Sequence, residues 1–349
     1  IDGGKNWSQF TNNMPPVAVH FTDLQKRTND LVMGTHGRGV IIIDNISPLR
    51  ELSSEILNKD VHFFKTDPFS MTEDSGFSGN FGTETQFVGE NKNTNAKIVY
   101  YLKKRHTFGK MEMEVQDMEG NKITTLNPGK SKGINIVSWD FSTAAPKMAQ
   151  AKTLAFSGFT APRVPAGKYK IVLTKGKETY THNIEVKYDE KSVTTLEQRK
   201  EQETLTDELF NMVEDLAYMV YEITETQTKA TEVIKNNPKG KKEAQKLFDA
   251  LEILRKDLVI TTGDNYVASA EPELREKMGD LYSNVASNFN KVSGASKANY
   301  ELISEEFSKA KQRYEAIMEK EGKKFYSFLE KNNIPKTEIQ SKEEFLKKG

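Results

Sequence analysis

Asp2-Gly3-Gly4-Lys5-Asn6-Trp7, followed by Pro16-Val17-Ala18-Val19-His20-Phe21, Asp30-Leu31-Val32-Met33-Gly34 and Gly39-Val40-Ile41-Ile42-Ile43, is the stretch on which the fold turns. The hexapeptide reads as a tight turn. The Asp2 carboxylate is placed to accept main-chain N–H bonds, Gly4 supplies a positive φ, and the Trp7 indole is expected to pack beneath the loop. The three apolar runs are broken by Gly, Asn and Pro and predict short antiparallel strands. A phosphate cradle over Gly34-Thr35-His36-Gly37-Arg38-Gly39 would have to open a helix and carry Lys followed by Ser or Thr. This stretch opens a strand, so a structural hairpin is expected, with His36 and Arg38 as the candidate ligand contacts on it.

Outward from there the texture changes twice. Ser47 to Asn95 opens on Ser47-Pro48-Leu49-Arg50-Glu51-Leu52 and becomes rich in Gly, Ser, Asn and Thr from Asp74, which reads as a wrapping connector with a loose loop. Alternation returns from Ala96, in Lys97-Ile98-Val99-Tyr100-Tyr101-Leu102, Met111-Glu112-Met113-Glu114-Val115 and Lys168-Tyr169-Lys170-Ile171-Val172-Leu173. Turns at Glu119-Gly120-Asn121 and Lys175-Gly176-Lys177 would close hairpins of a small β-sandwich, interrupted between Thr143 and Pro165. From Ser192 the apolar period becomes helical, with stripes at Leu205, Leu209, Met212, Leu216, Met219, Ile223, then Leu247 to Leu258, Leu274 to Val285 and Tyr300 to Ile317. Four helices are implied, the first capped by Thr194 with Glu197, and short connections predict an antiparallel bundle. The expected organisation is 1–46, a blade; 47–95, the connector; 96–190, the sandwich; 191–335, the bundle; and 336–349, a tail.

Composition narrows the chemistry. With 349 residues the chain is long enough for several cores, and 50 basic against 50 acidic side chains give no electrostatic case for nucleic acid. Cysteine is absent, which removes disulfides, thiolate metal sites and cysteine nucleophiles. No apolar run approaches the roughly 20 residues of a membrane span.

Asp2-Gly3-Gly4-Lys5-Asn6-Trp7 matches the Asp-box pattern from its Asp onward, and with the strands to Val40 it resembles a blade of the bacterial Asp-box propellers, the BNR-repeat and sortilin-like proteins. Ile134-Asn135-Ile136-Val137-Ser138-Trp139-Asp140 and Pro165-Ala166-Gly167-Lys168-Tyr169 resemble elements of flagellar-hook-cap-type immunoglobulin-like domains. The fold class so implied is multidomain β plus α: a partial β-propeller blade, an immunoglobulin-like β-sandwich and an antiparallel helical bundle. It further implies a piece of a longer secreted, periplasmic or cell-surface protein, with the remaining blades and any export signal upstream of Ile1. Asp2, Gly4 and Trp7 would be structural, and His36 and Arg38 would be rim or channel contacts.

Catalytic signals are weak. His20, His36, His62, His106 and His182 are not at metal-ligand spacing, and no Gly-x-Ser-x-Gly elbow occurs. No cofactor is expected. Asp44 and Asp140 fall at strand ends where capping is the expected role, and Trp139 and Tyr169 read as sandwich core. Phe69, Phe77, Phe81 and Phe87, spread without period among Gly and Ser, form a candidate docking loop, expected to tuck onto a neighbouring domain. The function expected is noncatalytic: a scaffold or binding module docking an envelope or secreted protein partner, or a carbohydrate. The alternative is an accessory region of a propeller glycoside hydrolase whose catalytic carboxylates lie upstream.

Overall fold

β1 (Val19–Gln25), β2 (Asp30–Thr35) and β3 (Val40–Ile43) form an open antiparallel meander in the computed structural model of the chain. The structure describes residues 4–7, 9–10, 13–72, 94–152, 160–263 and 270–347. The chain divides into two units: Ile1–Met71, Lys92–Phe141 and Ala166–Tyr188 make the first, and Thr72–Asn91, Ser142–Pro165 and Asp189–Gly349 the second. β-sheets dominate the one and helices the other.

In the first unit, the stretch read as a connector supplies two short helices and two edge strands: α1 (Ser47–Glu51), α2 (Ser54–Asn58), β4 (Val61–Phe63) and β5 (Phe69–Met71). Ser53 caps α2 through the Ile56 N–H. β4 joins β6 (Ala96–Leu102) and β9 (Gly133–Trp139) in an antiparallel sheet of order β4-β6-β9. β5 runs parallel to β11 (Glu178–Tyr188), at the edge of a second sheet that continues through β10 (Gly167–Lys175), β7 (Met111–Gln116) and β8 (Lys122–Leu126). The two expected turns do close the β7–β8 and β10–β11 hairpins.

The two sheets face each other through side chains of alternate positions. Trp139 of β9 meets Tyr169 of β10 edge-on at 5.8 Å, and Phe63 of β4 stacks on His182 of β11 at 5.3 Å. β7 alternates cleanly, with Met113 and Val115 inside and Glu112 and Glu114 outward. β6 does not, because both its faces are covered: Ile98, Tyr100 and Leu102 are fully buried on one, while Val99 and Tyr101 pack with Ile56 and Phe64 on the other. A continuous apolar run is what such a strand requires.

The second unit is built on α3 (Leu196–Asn236), α4 (Lys241–Leu258), α5 (Leu274–Ser287) and α6 (Gly294–Ile317). Leu209, Leu216 and Ile223 of α3, Leu247 to Leu258 of α4, Met278 and Tyr282 of α5 and Phe307 of α6 share one apolar core. Met212 is only half-buried, and Val213, Ala217 and Val220 fill the core beside the expected stripe. The capping box of α3 lies one residue later than the sequence reading placed it, on Thr195 and Gln198, because the Thr194 hydroxyl donates instead to the Phe289 carbonyl. α6 does not end at its stripe. It passes through a π-helical turn, Met318–Gly322, into α7 (Lys323–Lys331), where Phe325 and Leu329 rejoin the core. A last short helix, α8 (Lys342–Lys347), lies on α3.

The segment between β9 and β10 belongs to this helical unit. It leaves and returns side by side, with the Thr143 N–H donating to the Pro162 carbonyl at 2.8 Å. Along it Ala149 enters the helical core and its carbonyl accepts from Arg275 Nη1 at 3.0 Å. The Thr160 carbonyl accepts from the Tyr282 hydroxyl at 2.6 Å, and the Lys152 N–H donates to the Ile260 carbonyl at 3.2 Å. Arg275 is 2% exposed and also pairs with Glu276 at 2.6 Å.

Arg275→Met would leave the Ala149 carbonyl and Glu276 without their cation, and we expect a loss of about 3 kcal/mol, read as a lower urea midpoint at unchanged slope. Glu222 on α3 provides a pH test. Desolvation raises its carboxyl above the ordinary value, against a hydrogen bond from Tyr314 that lowers it. The folded state therefore binds this proton more tightly than the unfolded chain. Its stabilisation is full below the unfolded carboxyl pKa and is lost as pH climbs through the raised value. Glu222→Gln should raise the melting temperature by a few degrees at pH 7 relative to the parent, with the advantage gone near pH 4; equal shifts at both pH values would contradict this.

Candidate interaction surface

Side-chain alternation on the β1-β2-β3 meander sorts its apolar residues onto two faces. Pairing sets Phe21 beside Gly34 and Val40, and Asp23 beside Val32 and Ile42, on one face. The next rung, Thr22, Met33 and Ile41, and then Leu24, Leu31 and Ile43, fall on the other. The second face is the better covered: Met33 is buried and Leu24, Leu31, Ile41 and Ile43 are half-buried, with Thr22 exposed. On the first, Phe21 is 70%, Val40 64% and Ile42 57% exposed. Phe21, Val40 and Ile42 thus present apolar side chains to solvent on one face of the open sheet, with Asp23 beside them.

The covered face borders a groove of about 770 Å³ within the same unit. Ile41 and Ile43 of β3, Phe10, Met14 and Leu49 form its apolar wall opposite Ile134 and Ile136 of β9, and Lys97, Lys132 and Asp44 supply its charge. Lys97 and Asp44 pair at 3.4 Å. Asp44 is thereby engaged by a cation, and Asp140 lies exposed just past β9.

The turn between β2 and β3 is a hairpin held by its own main chain. The Thr35 N–H and hydroxyl both donate to the Gly39 carbonyl, at 3.0 and 2.6 Å. Gly37 and Gly39 take φ of +79° and +66°, which other residues adopt at a steric cost. His36 and Arg38 are exposed on this turn, and the His36 ring stacks on His20 at 5.1 Å. Asp2 lies outside the described residues. Gly4 has φ +84° and accepts the Trp7 indole N–H at 2.9 Å, so these two close a local turn. Trp7 does not pack beneath a strand hairpin: it is 89% exposed, because the first strand starts only at Val19.

The remaining sequence candidates are dispersed. Phe69 is half-buried in β5, paired with Val186, while Phe77, Phe81 and Phe87 lie outside the described residues. His62 bonds Glu51 at 3.0 Å, His106 bonds the Gly109 carbonyl, and His182 bonds Thr66. Burial, and then the charge of His62, lowers the His182 pKa. Among the described residues, no three His, Asp or Glu side chains gather as a metal site would need, and no helix is long and apolar enough to cross a membrane.

No protein-family model, curated protein or solved structure matches the chain. The exposed patch was not singled out in the sequence, yet its signal is there: Val40-Ile41-Ile42-Ile43 is apolar at every position, as in a strand meant to be covered on both sides.

The chain's 2 tryptophans report the arrangement directly. A Trp139→Phe variant, emitting from Trp7 alone, should fluoresce at the red end of the indole range and be strongly quenched by iodide. Trp7→Phe, leaving the buried Trp139, should emit blue and resist quenching. Matching spectra would contradict the two environments.

Proposed function

We propose that this chain is a noncatalytic docking module of a secreted or cell-envelope protein, and that β1, β2 and β3 are strands of an Asp-box propeller blade whose exposed face receives the apolar face of an adjoining sheet. The observation that carries this reading is the row Phe21, Val40 and Ile42. Leaving it in water is unfavourable by roughly 25 cal/mol for each Å² of apolar surface, and burying it against a second sheet recovers that free energy. A four-residue connection between β2 and β3, with two left-handed glycines, suits a blade, where successive strands are joined by tight hairpins. The facing sheets suit an immunoglobulin-like sandwich, and the helical unit suits a bundle beyond it. The charge balance and the pairing of the groove's carboxylate, Asp44, with Lys97 favour docking over hydrolysis.

Because the chain has no cysteine, Phe21→Cys places a single thiol on the patch. In the isolated chain this thiol should react freely with a water-soluble maleimide. In the native polypeptide expressed from its own gene, the same thiol should react at least tenfold more slowly. Equal rates would overturn the docked face, and release of reducing sugar from polysaccharide by the isolated chain would overturn the noncatalytic reading.

A further inference from the structure

The second unit holds a different surface, on α3, that already carries a peptide. Residues 340–347 lie on it through contacts of three kinds. The main chain of Gln340 is clamped by two tyrosines: the Tyr218 hydroxyl donates to its carbonyl at 2.9 Å, and its N–H donates to the Tyr221 hydroxyl at 3.2 Å. Lys342 Nζ reaches one oxygen of Asp215 at 2.6 Å, and Lys311 holds the other at 2.7 Å. The Phe345 ring stacks on Tyr221 at 4.8 Å and leans on Tyr218 at 5.8 Å, with Lys147 Nζ 4.0 Å from the ring centroid. Lys147 also donates to the Phe345 carbonyl.

None of these contacts requires residues 340–347 to be joined to the rest of the chain. One clamp reads main chain, one slot takes a cation and one takes an aromatic ring, at relative positions zero, two and five. A short backbone clamp flanked by side-chain slots is how peptide-binding surfaces combine affinity with selectivity. The resident helix has 6 residues, none of them buried. A helix so short does not hold itself together in water, so its order comes from the surface beneath it. Burial raises the Asp215 carboxyl, but the hydrogen bonds from Lys311 and Lys342 outweigh it and keep the group below its ordinary value, so the cation slot is charged at neutral pH.

We infer that Tyr218, Tyr221, Asp215 and Lys147 form a docking site for a helical turn of the pattern Lys-x-x-aromatic, and that residues 340–347 are its exchangeable occupant, replaceable by the same segment supplied as a separate peptide. Tethering gives the resident segment an effective concentration on the order of millimolar, so a separate peptide binds appreciably only when that segment is weakened or withdrawn. This surface is separate from the β1-β2-β3 face and stands whether or not that face docks a sheet.

The test uses the full chain and a capped synthetic peptide of residues 340–347 as the probe, followed by calorimetry or NMR. Phe345→Ala, which empties the aromatic slot at the cost of one partly buried ring at the rim of the helical core, should bind the peptide at least tenfold more tightly than the parent chain. Tyr221→Ala added to it should remove that gain, and a probe carrying Ala at the Phe345 position should bind at least tenfold more weakly. A chain ending at residue 339 is the second form, expected to bind as well as the Phe345→Ala variant. Peptide affinity equal in parent and Phe345→Ala chains, or no saturable binding by either altered form at millimolar peptide, would overturn the site.

Discussion

The guanidinium of Arg275 sets the terms for the helical unit. A cation that is 2% exposed is tolerated only where charge and hydrogen-bond acceptors surround it, and here they include Glu276 beside it and the carbonyl of Ala149. Ala149 is not a helix residue. It rides on the segment that departs after β9 and returns before β10. Tyr282 makes the same demand a little further along α5, with its hydroxyl on Thr160. Two buried polar groups of the helices thus take their partners from a stretch whose flanks are strands. The helical core is complete only with that stretch in place, and a boundary drawn at residue 190 cuts across it.

Much of this architecture was legible in the sequence where the determining contacts are local. The β1 to β3 runs, the hairpin turns at Gly120 and Gly176, and the leucine stripe of α4 all follow from side-chain period and turn chemistry, which act over a few residues. Legibility fails where partners are remote. The Ala, Gly and Pro character of 143–165 marks a break in alternation, but says nothing of which unit receives it, since Ala149 and Arg275 are 126 positions apart. The 47–71 stretch looked like a connector because β4 and β5 are 3 residues each, too short to show a period. The cap of α3 moved by one residue because Thr194 is engaged by Phe289, a contact no local pattern announces. The site was less legible than the fold. His36 and Arg38 stood out as chemistry-bearing residues on a glycine turn, whereas an exposed apolar row is recognised only once pairing shows which side each residue takes.

The two proposed docking surfaces would differ in what they select. The sheet face offers Phe21, Val40 and Ile42 with the exposed carboxylate of Asp23 beside them, so apolar area would weigh most in what covers it. The surface on α3 offers a carboxylate, two phenolic hydroxyls and stacked rings at fixed spacing, which discriminates among short peptides. As proposed, the first would suit a lasting association and the second an exchangeable one.

The out-and-back excursion between β9 and β10 also has a consequence in time. On the ribosome, Ala149 emerges 126 residues before the arginine that will hold its carbonyl. At about 5 to 20 residues per second, that is a wait of roughly 6 to 25 s. β10 and β11 follow Ala149 by 18 to 39 residues, so only once they have emerged can the sheets close, with the departing and returning chain joined between Thr143 and Pro162. Ala149, with Met148 and Ala151 beside it, therefore waits for its apolar surroundings until the helices that receive it have been made.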